Sequence, residues 1–242
     1  MQAKNVLLAI TLCLFTFSNL QAQNWWKNRI KGEGDIEKRT IEVSDFDGFT
    51  LAVGANVKLR QGPDHEMIIE AQPNIIDNIE LKYRDGHLRI TYDRPVYRTK
   101  GITIYLTAPS LDKVSVSGSG NIDGEGTFKS LGDLAIAVSG SGNVNLDFEA
   151  KEIQTSVSGS GNLRLSGSGD RFSVSVSGSG NVKAGDLVVA DARVSVSGSG
   201  NVHVHATENL DARVSGSGDI KYKGRPRIIA KTSGSGDIEA IQ

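Results

Sequence analysis

A five-residue unit, Ser-Gly-Ser-Gly followed by Asn or Asp, recurs through the second half of this 242-residue chain and constrains its fold more than any other feature. Copies begin at Ser117, Ser139, Ser158, Ser166, Ser177, Ser197, Ser215 and Ser233. Successive starts are 22, 19, 8, 11, 20, 18 and 18 residues apart. The 8 and the 11 together fill one ordinary period, so Ser166 opens an extra copy inside a single repeat. A fainter copy, Ile30-Lys-Gly-Glu-Gly-Asp-Ile36, lies far upstream. Self-similarity at such a period marks an architecture in which each unit buries its apolar face only against its neighbours.

Ahead of each copy the chain alternates, as in Val114-Ser-Val-Ser117, Val174-Ser-Val-Ser177 and Val194-Ser-Val-Ser197. Period-two alternation of β-branched residues predicts half-buried strands with valine on one face and serine on the other. Most copies continue as apolar, polar, apolar, as in Asn143-Val-Asn-Leu146 and Asn201-Val-His-Val204. About twenty residues is too short for a four-stranded propeller blade and fits one coil of a parallel β-solenoid. Coils stack about 4.8 Å apart, so each strand hydrogen-bonds the coil above and below. Val114, Val116, Ile122 and their equivalents should form inward apolar columns.

Corners explain the glycines, 21 of the 28 of which follow residue 112. Gly118 and Gly120, Gly140 and Gly142, Gly159 and Gly161, Gly178 and Gly180 are read as structural turn positions. Gly198 and Gly200, Gly216 and Gly218, Gly234 and Gly236 continue the series. The fifth position, Asn121, Asn143, Asn162, Asn181, Asn201, Asp219 and Asp237, is expected to tolerate left-handed geometry and to hydrogen-bond adjacent backbone. Stacked asparagines could also ladder from coil to coil.

Residues 40–112 read differently. Thr40–Val43, Thr50–Val53, Val57–Arg60, Met67–Glu70, Ile79–Lys82, Leu88–Tyr92 and Ile102–Leu106 are predicted strands, punctuated by Gly and Pro turns. The section should be an irregular β-rich cap that shields the edge of the first regular coil. The repeats then occupy 113–242, and 40–242 reads as one continuous domain. Upstream, Met1–Ala22 reads as a secretory signal peptide, with Lys4, the apolar run Val6–Phe17 and a small residue before Gln23. Residues 23–39 form a leader containing Trp25 and Trp26. Cleavage removes Cys13, the only cysteine, so no disulfide or thiol chemistry is expected in the mature chain.

The signal peptide, the β-rich lead with Phe49–Gly62 and Gly86-His-Leu-Arg-Ile90, the entry Pro109-Ser-Leu111 and the iterated Val-Ser-Gly-Ser-Gly-Asn together resemble a known family. It is the exported bacterial group described as putative auto-transporter adhesin, head GIN domain. The resemblance covers roughly Val43 to the C-terminus. It implies a right-handed parallel β-helix and a Gram-negative cell envelope of the Bacteroidota type. It brings no defined ligand and no catalytic residues.

The residues themselves offer few sites. Twenty-seven basic against 28 acidic residues argues against a nucleic-acid binder. A mean hydropathy of −0.22 excludes a helical membrane bundle. Calcium is disfavoured, because five of the eight units end in Asn and only Asp170, Asp219 and Asp237 bring charge. His203 and His205 flank Val204 and share an outward face, where two histidines could ligate a metal only with a third ligand. Asp219 and Asp237 occupy equivalent positions one coil apart and should stack, a separation resembling the carboxylate pair of a retaining glycosidase. Since most coils carry Asn there, a turn role is the preferred reading. No nucleophile elbow, P-loop or zinc-protease motif occurs. The sequence therefore predicts a non-enzymatic exported β-helix of the periplasm or cell surface, without cofactor or transmembrane span, acting as adhesin, scaffold or binding module. An envelope or extracellular glycan or protein, or a second copy of the chain, is the expected partner class. The alternative is a carbohydrate-active enzyme or glycan binder using the outer face of the last coils.

Overall fold

The computed structural model describes residues 29–241, with the side chains of 130 and 131 left aside. Met1–Ala22, Cys13, Trp25 and Trp26, with the signal-peptide reading, lie outside the described residues. The regular part is built from β10 (Lys113–Gly118), β11 (Asn121–Gly140), β12 (Asn143–Gly159), β13 (Asn162–Gly178), β14 (Asn181–Gly198) and β15 (Val202–Gly216). It ends with β16 (Ile220–Lys223), β17 (Arg227–Gly234) and β18 (Ile238–Ala240). Each pairs in parallel with the equivalent segment one repeat earlier, so that Val116, Val138, Val157, Val176, Val196 and Val214 stand in one column. The chain is a parallel β-solenoid of about seven turns.

Alternation sets the core. Val114 and Val116 are 1% and 2% exposed, while Ser117 between the corner and Val116 faces out. Fully burying a valine or leucine contributes roughly 1.5–3 kcal/mol over leaving it exposed, so the columns supply most of the cohesion a disulfide-free solenoid needs. Phe148 and Phe172 lie in the coil interior, each 1% exposed.

The section before residue 113 is only partly irregular. Its elements are β1 (Ile30–Lys31), β2 (Glu37–Ile41), β3 (Gly48–Leu51), β4 (Asn56–Gln61), β5 (Glu66–Ala71), the one-turn helix α1 (Pro73–Ile76), β6 (Ile79–Arg84), β7 (His87–Tyr92), β8 (Val96–Arg98) and β9 (Thr103–Ala108). All seven strands expected from the sequence are present. However, β3 and β4 continue the parallel stack directly beneath β10 and the start of β11. Beneath them in turn lie β7 and β9, which come later in the chain. The coil containing β3 and β4 is thus inserted, out of chain order, between its neighbours. Only β2, β5 and β6 run antiparallel and close the end, with Ile75 and Ile76 of α1 buried. An antiparallel lid blocks further coil stacking at this end.

Two expectations are corrected. The faint copy at Ile30–Ile36 is not a coil: Ile30 and Lys31 pair with β8 in a separate two-stranded sheet, and Lys100 holds Asp35 at 3.0 Å. The fifth-position Asn and Asp residues are not left-handed, since Asp85 (φ 50) is the one non-glycine residue with positive φ among the described residues. The first glycine of each unit takes that burden instead, with φ between 114 and 130 from Gly118 to Gly234. The second meets the coil below: a Cβ on Gly180 would lie 2.4 Å from the Gly161 carbonyl oxygen and 2.5 Å from Val157 Cγ1.

Candidate binding surface

With the two glycines turning the corner, the Asn or Asp that follows is free to point outward over its equivalent below. The carboxamides form a continuous ladder. Asn121 Nδ2 donates to Asn56 Oδ1 at 2.9 Å, Asn143 to Asn121 at 2.7 Å, Asn162 to Asn143 at 3.0 Å, Asn181 to Asn162 at 2.9 Å and Asn201 to Asn181 at 3.1 Å. At the next rung the donor changes. The backbone N–H of Asp219 donates to Asn201 Oδ1 at 3.1 Å, and that of Asp237 to Asp219 Oδ1 at 3.0 Å. A carboxylate has no N–H to offer, so an Asp can only end such a ladder on its acceptor side.

Asp219 and Asp237 therefore stack as equivalent rungs, with Ile220 opposite Ile238. The Asp219 carboxylate continues the acceptor column that Asn side chains provide elsewhere, and Asp237 joins it through its backbone N–H. Asn56 is a rung the sequence reading missed. Ala52-Val-Gly-Ala-Asn56 is a degenerate copy of the unit, and the following Val57-Lys-Leu59 repeats the apolar, polar, apolar pattern. Asp170, which closes the extra copy, lies exposed and off the ladder, because Gly167 and Gly169 stack on Phe148 and Ala150 halfway round the coil.

Two positions beyond the ladder, a second outward column runs Lys58, Asp123, Asn145, Arg164, Lys183, His203, Lys221 and Glu239. His203 is thus sandwiched between two lysines. Burial, then the charges of Lys221, Lys183 and Lys223, hold its pKa below the usual histidine range. His205 faces Lys223 one coil on, not a further ligand. No group of three His, Cys, Asp or Glu able to hold a metal occurs among the described residues.

The Ser-x-Ser face forms shallow, open grooves of about 510 and 720 Å³ along adjacent coils, the first lined by Ser156, Ser175 and Arg193 and the second by Ser197, Arg213 and Lys231. Ser115 departs from the outward pattern, being only 7% exposed between Thr50 and Ala137. At the lidded end, Glu70 accepts from Tyr105 Oη at 3.0 Å and pairs with Lys38 at 3.2 Å, which holds its carboxyl below the usual range. Neither surface assembles a nucleophile, base and oxyanion donors around one point.

The family model described as putative auto-transporter adhesin, head GIN domain, matches residues 45–226. A solved structure of a putative adhesin from Bacteroides fragilis is 28% identical with a TM-score of 0.82, covering 88% of this chain and 100% of that one. A putative lipid binding protein from Parabacteroides distasonis is also 28% identical, with a TM-score of 0.72 over the same shares. A putative adhesin from Parabacteroides merdae, 21% identical with a TM-score of 0.71, covers 89% of this chain and 100% of its own and shares the fold. No curated protein matches the chain. The match to the family model spans about three quarters of the chain, so the chain belongs to the putative auto-transporter adhesin, head GIN domain family.

Proposed function

We propose that this chain is a non-enzymatic binding module of the bacterial cell envelope, exported through Met1–Ala22 and working from Gln23 onward. A rigid solenoid holds its outer side chains in fixed rows, and such rows suit recognition of an extended partner better than chemistry on one bond. The observation that supports binding over catalysis is the ladder. Asp219 and Asp237, the best-placed carboxylates for a glycosidase, are bound into the ladder: Asp219 accepts the Asp237 backbone N–H as Asn201 accepts that of Asp219. Their position is explained without a reaction. The names of the relatives, adhesins and a lipid binding protein, also point to binding. No helix among the described residues is long and apolar enough to cross a membrane.

The decisive experiment pairs an activity screen with binding. The protein and its Asp219→Asn variant are incubated with envelope and plant polysaccharides, and the same polysaccharides are immobilised for capture. Binding without turnover, equal in both proteins, is expected. Turnover lost in the variant would establish the enzymatic alternative. Fractionation with surface protease shaving tests the envelope location.

A further inference from the structure

We infer that the column Arg164, Lys183, His203 and Lys221, with the Asn162, Asn181 and Asn201 rungs beside it, is a binding strip for a linear anionic polysaccharide carrying carboxylate or sulfate groups. The inference rests on the binding-module reading and gives it a site and a ligand class.

The in-register pairing stacks these side chains on successive coils, about 4.8 Å apart, so the four rungs extend over roughly 14 Å. Like charges directly opposite on neighbouring strands repel and cost stability. Elsewhere like charges meet in pairs, Asp133 opposite Glu152, Lys82 opposite Arg89 and Arg213 opposite Lys231. After that Asp133–Glu152 pair its column goes on through Arg171, Asp191, Asn209 and Arg227 alternating in sign or neutrality, with Arg171 on Glu152 at 2.9 Å and Asn209 on Asp191 at 2.6 Å. The cationic column is neutralised only at its edges: Lys58 pairs with Asp123 at 3.2 Å and Lys221 with Glu239 at 2.8 Å. Nearby Lys223 is drawn to Asp186 at 3.6 Å. Arg164 and Lys183 have no ion-pair partner among the described residues, and His203 lies between Lys183 and Lys221 with its pKa lowered. Repulsion at the centre is what a bound anion would relieve.

The amide ladder supplies the second half of the strip. Each rung spends one Nδ2–H on the Asn below and keeps a second amide hydrogen to donate. On each strand that spare donor lies two residues, about 7 Å, from the cation of the same coil. A sugar ring is about as long as one coil is thick. A charged glycan strand running along the stack can therefore meet a cation and an N–H on the coils of Arg164 and Lys183, a histidine and an N–H on that of His203, and Lys221 beside the Asp219 carboxylate on the last. A planar anionic membrane fits less well, because it would meet Asp147 and Asp186 on the same face together with Asp123 and Glu239 at the column ends.

The test is fluorescence anisotropy with labelled dextran sulfate and polygalacturonate fragments, with neutral dextran and phosphatidylglycerol vesicles as competitors. Binding of at least one anionic polymer is expected, weakened tenfold or more between 50 and 300 mM salt, as screening over a shorter Debye length requires. Lys183→Glu should weaken it at least tenfold, while Lys151→Glu, exposed on another side, should change it less than twofold. The His203 resonance, followed by NMR, should titrate at higher pH in the loaded protein. Equal losses in both variants, an unmoved His203, or vesicles that compete as well as the polymer would each overturn the strip. Capture of neutral glycans alone would overturn the strip yet leave the binding module standing. Turnover of a glycan would overturn the binding module itself.

Discussion

Replacing Gly180 by alanine probes the closeness of the stack at a single methyl group. The new Cβ would sit 2.4 Å from the Gly161 carbonyl oxygen and 2.5 Å from Val157 Cγ1, well inside van der Waals contact. The obstructing oxygen is backbone, fixed by the Asn181 N–H that donates to it at 3.2 Å, and cannot swing aside as a side chain would. Overpacking of this kind costs about 1–3 kcal/mol, and an immovable neighbour puts Gly180→Ala near the upper end. Lost freedom of the unfolded glycine offsets about 0.4–1 kcal/mol of that. The net loss of about 2–2.5 kcal/mol corresponds to a fall in Tm of roughly 4–10 °C for a chain of this size. Ser179→Ala, exposed one residue earlier, should stay within about 0.5 kcal/mol. Urea and thermal unfolding followed by far-ultraviolet circular dichroism measure both. A Gly180→Ala protein as stable as Ser179→Ala would refute the close approach of the coils at this corner.

Val116→Asp should unfold the chain or cost more than about 4 kcal/mol, since a lone carboxylate would enter a dry column, whereas Ser117→Asp should cost little; denaturant midpoints decide. Asn162→Asp removes the donor to Asn143 and should cost about 1–2 kcal/mol, while Asp219→Asn restores a donor toward Asn201 and should be neutral or stabilising. The Asp147 carboxyl lies below its ordinary pKa because Thr127 and Ser166 donate to it, Ser166 at 2.7 Å. Its stabilisation is therefore fully present above the ordinary carboxylate range and lost as pH falls through the lowered value. Ser166→Ala should raise that pKa in an NMR titration and flatten the acid limb of the stability profile; an unchanged Asp147 titration would contradict the hydrogen bond.

The repeat made half of this fold legible, because a unit recurring every 18–22 residues fixes strand, corner and register together. Chain order misled where it parts from stacking order. Nothing in the spacing of Phe49, Asn56 or Leu88 says that β3 and β4 slide between two later-neighbouring coils, since pairing partners are set by packing across sequence separation. Asn56 escaped notice because Ala52 and Gly54 replace the serines of its unit and Val53 and Ala55 the glycines, though the Asn-apolar-polar-apolar tail was intact. The histidines were visible as a pair, but their setting was not. Lys183 and Lys221 lie one repeat before and one after His203, and only stacking turns that spacing into a histidine held between two lysines.

The ladder, the seryl grooves and the cation column exist only if successive coils stack in register, and disulfide trapping tests that register directly. In a Cys13→Ser background, Ser158→Cys with Ser177→Cys places two exposed thiols on adjacent rungs of one column. Their Cα atoms, about 4.8 Å apart, fall within disulfide range. Ser158→Cys with Ser197→Cys lies two coils apart, about 9.6 Å, beyond that range. Mild oxidation followed by non-reducing electrophoresis and peptide mapping should find an intramolecular bond in the first pair and none in the second. A bond in the second pair, or free thiols in both, would contradict the in-register solenoid.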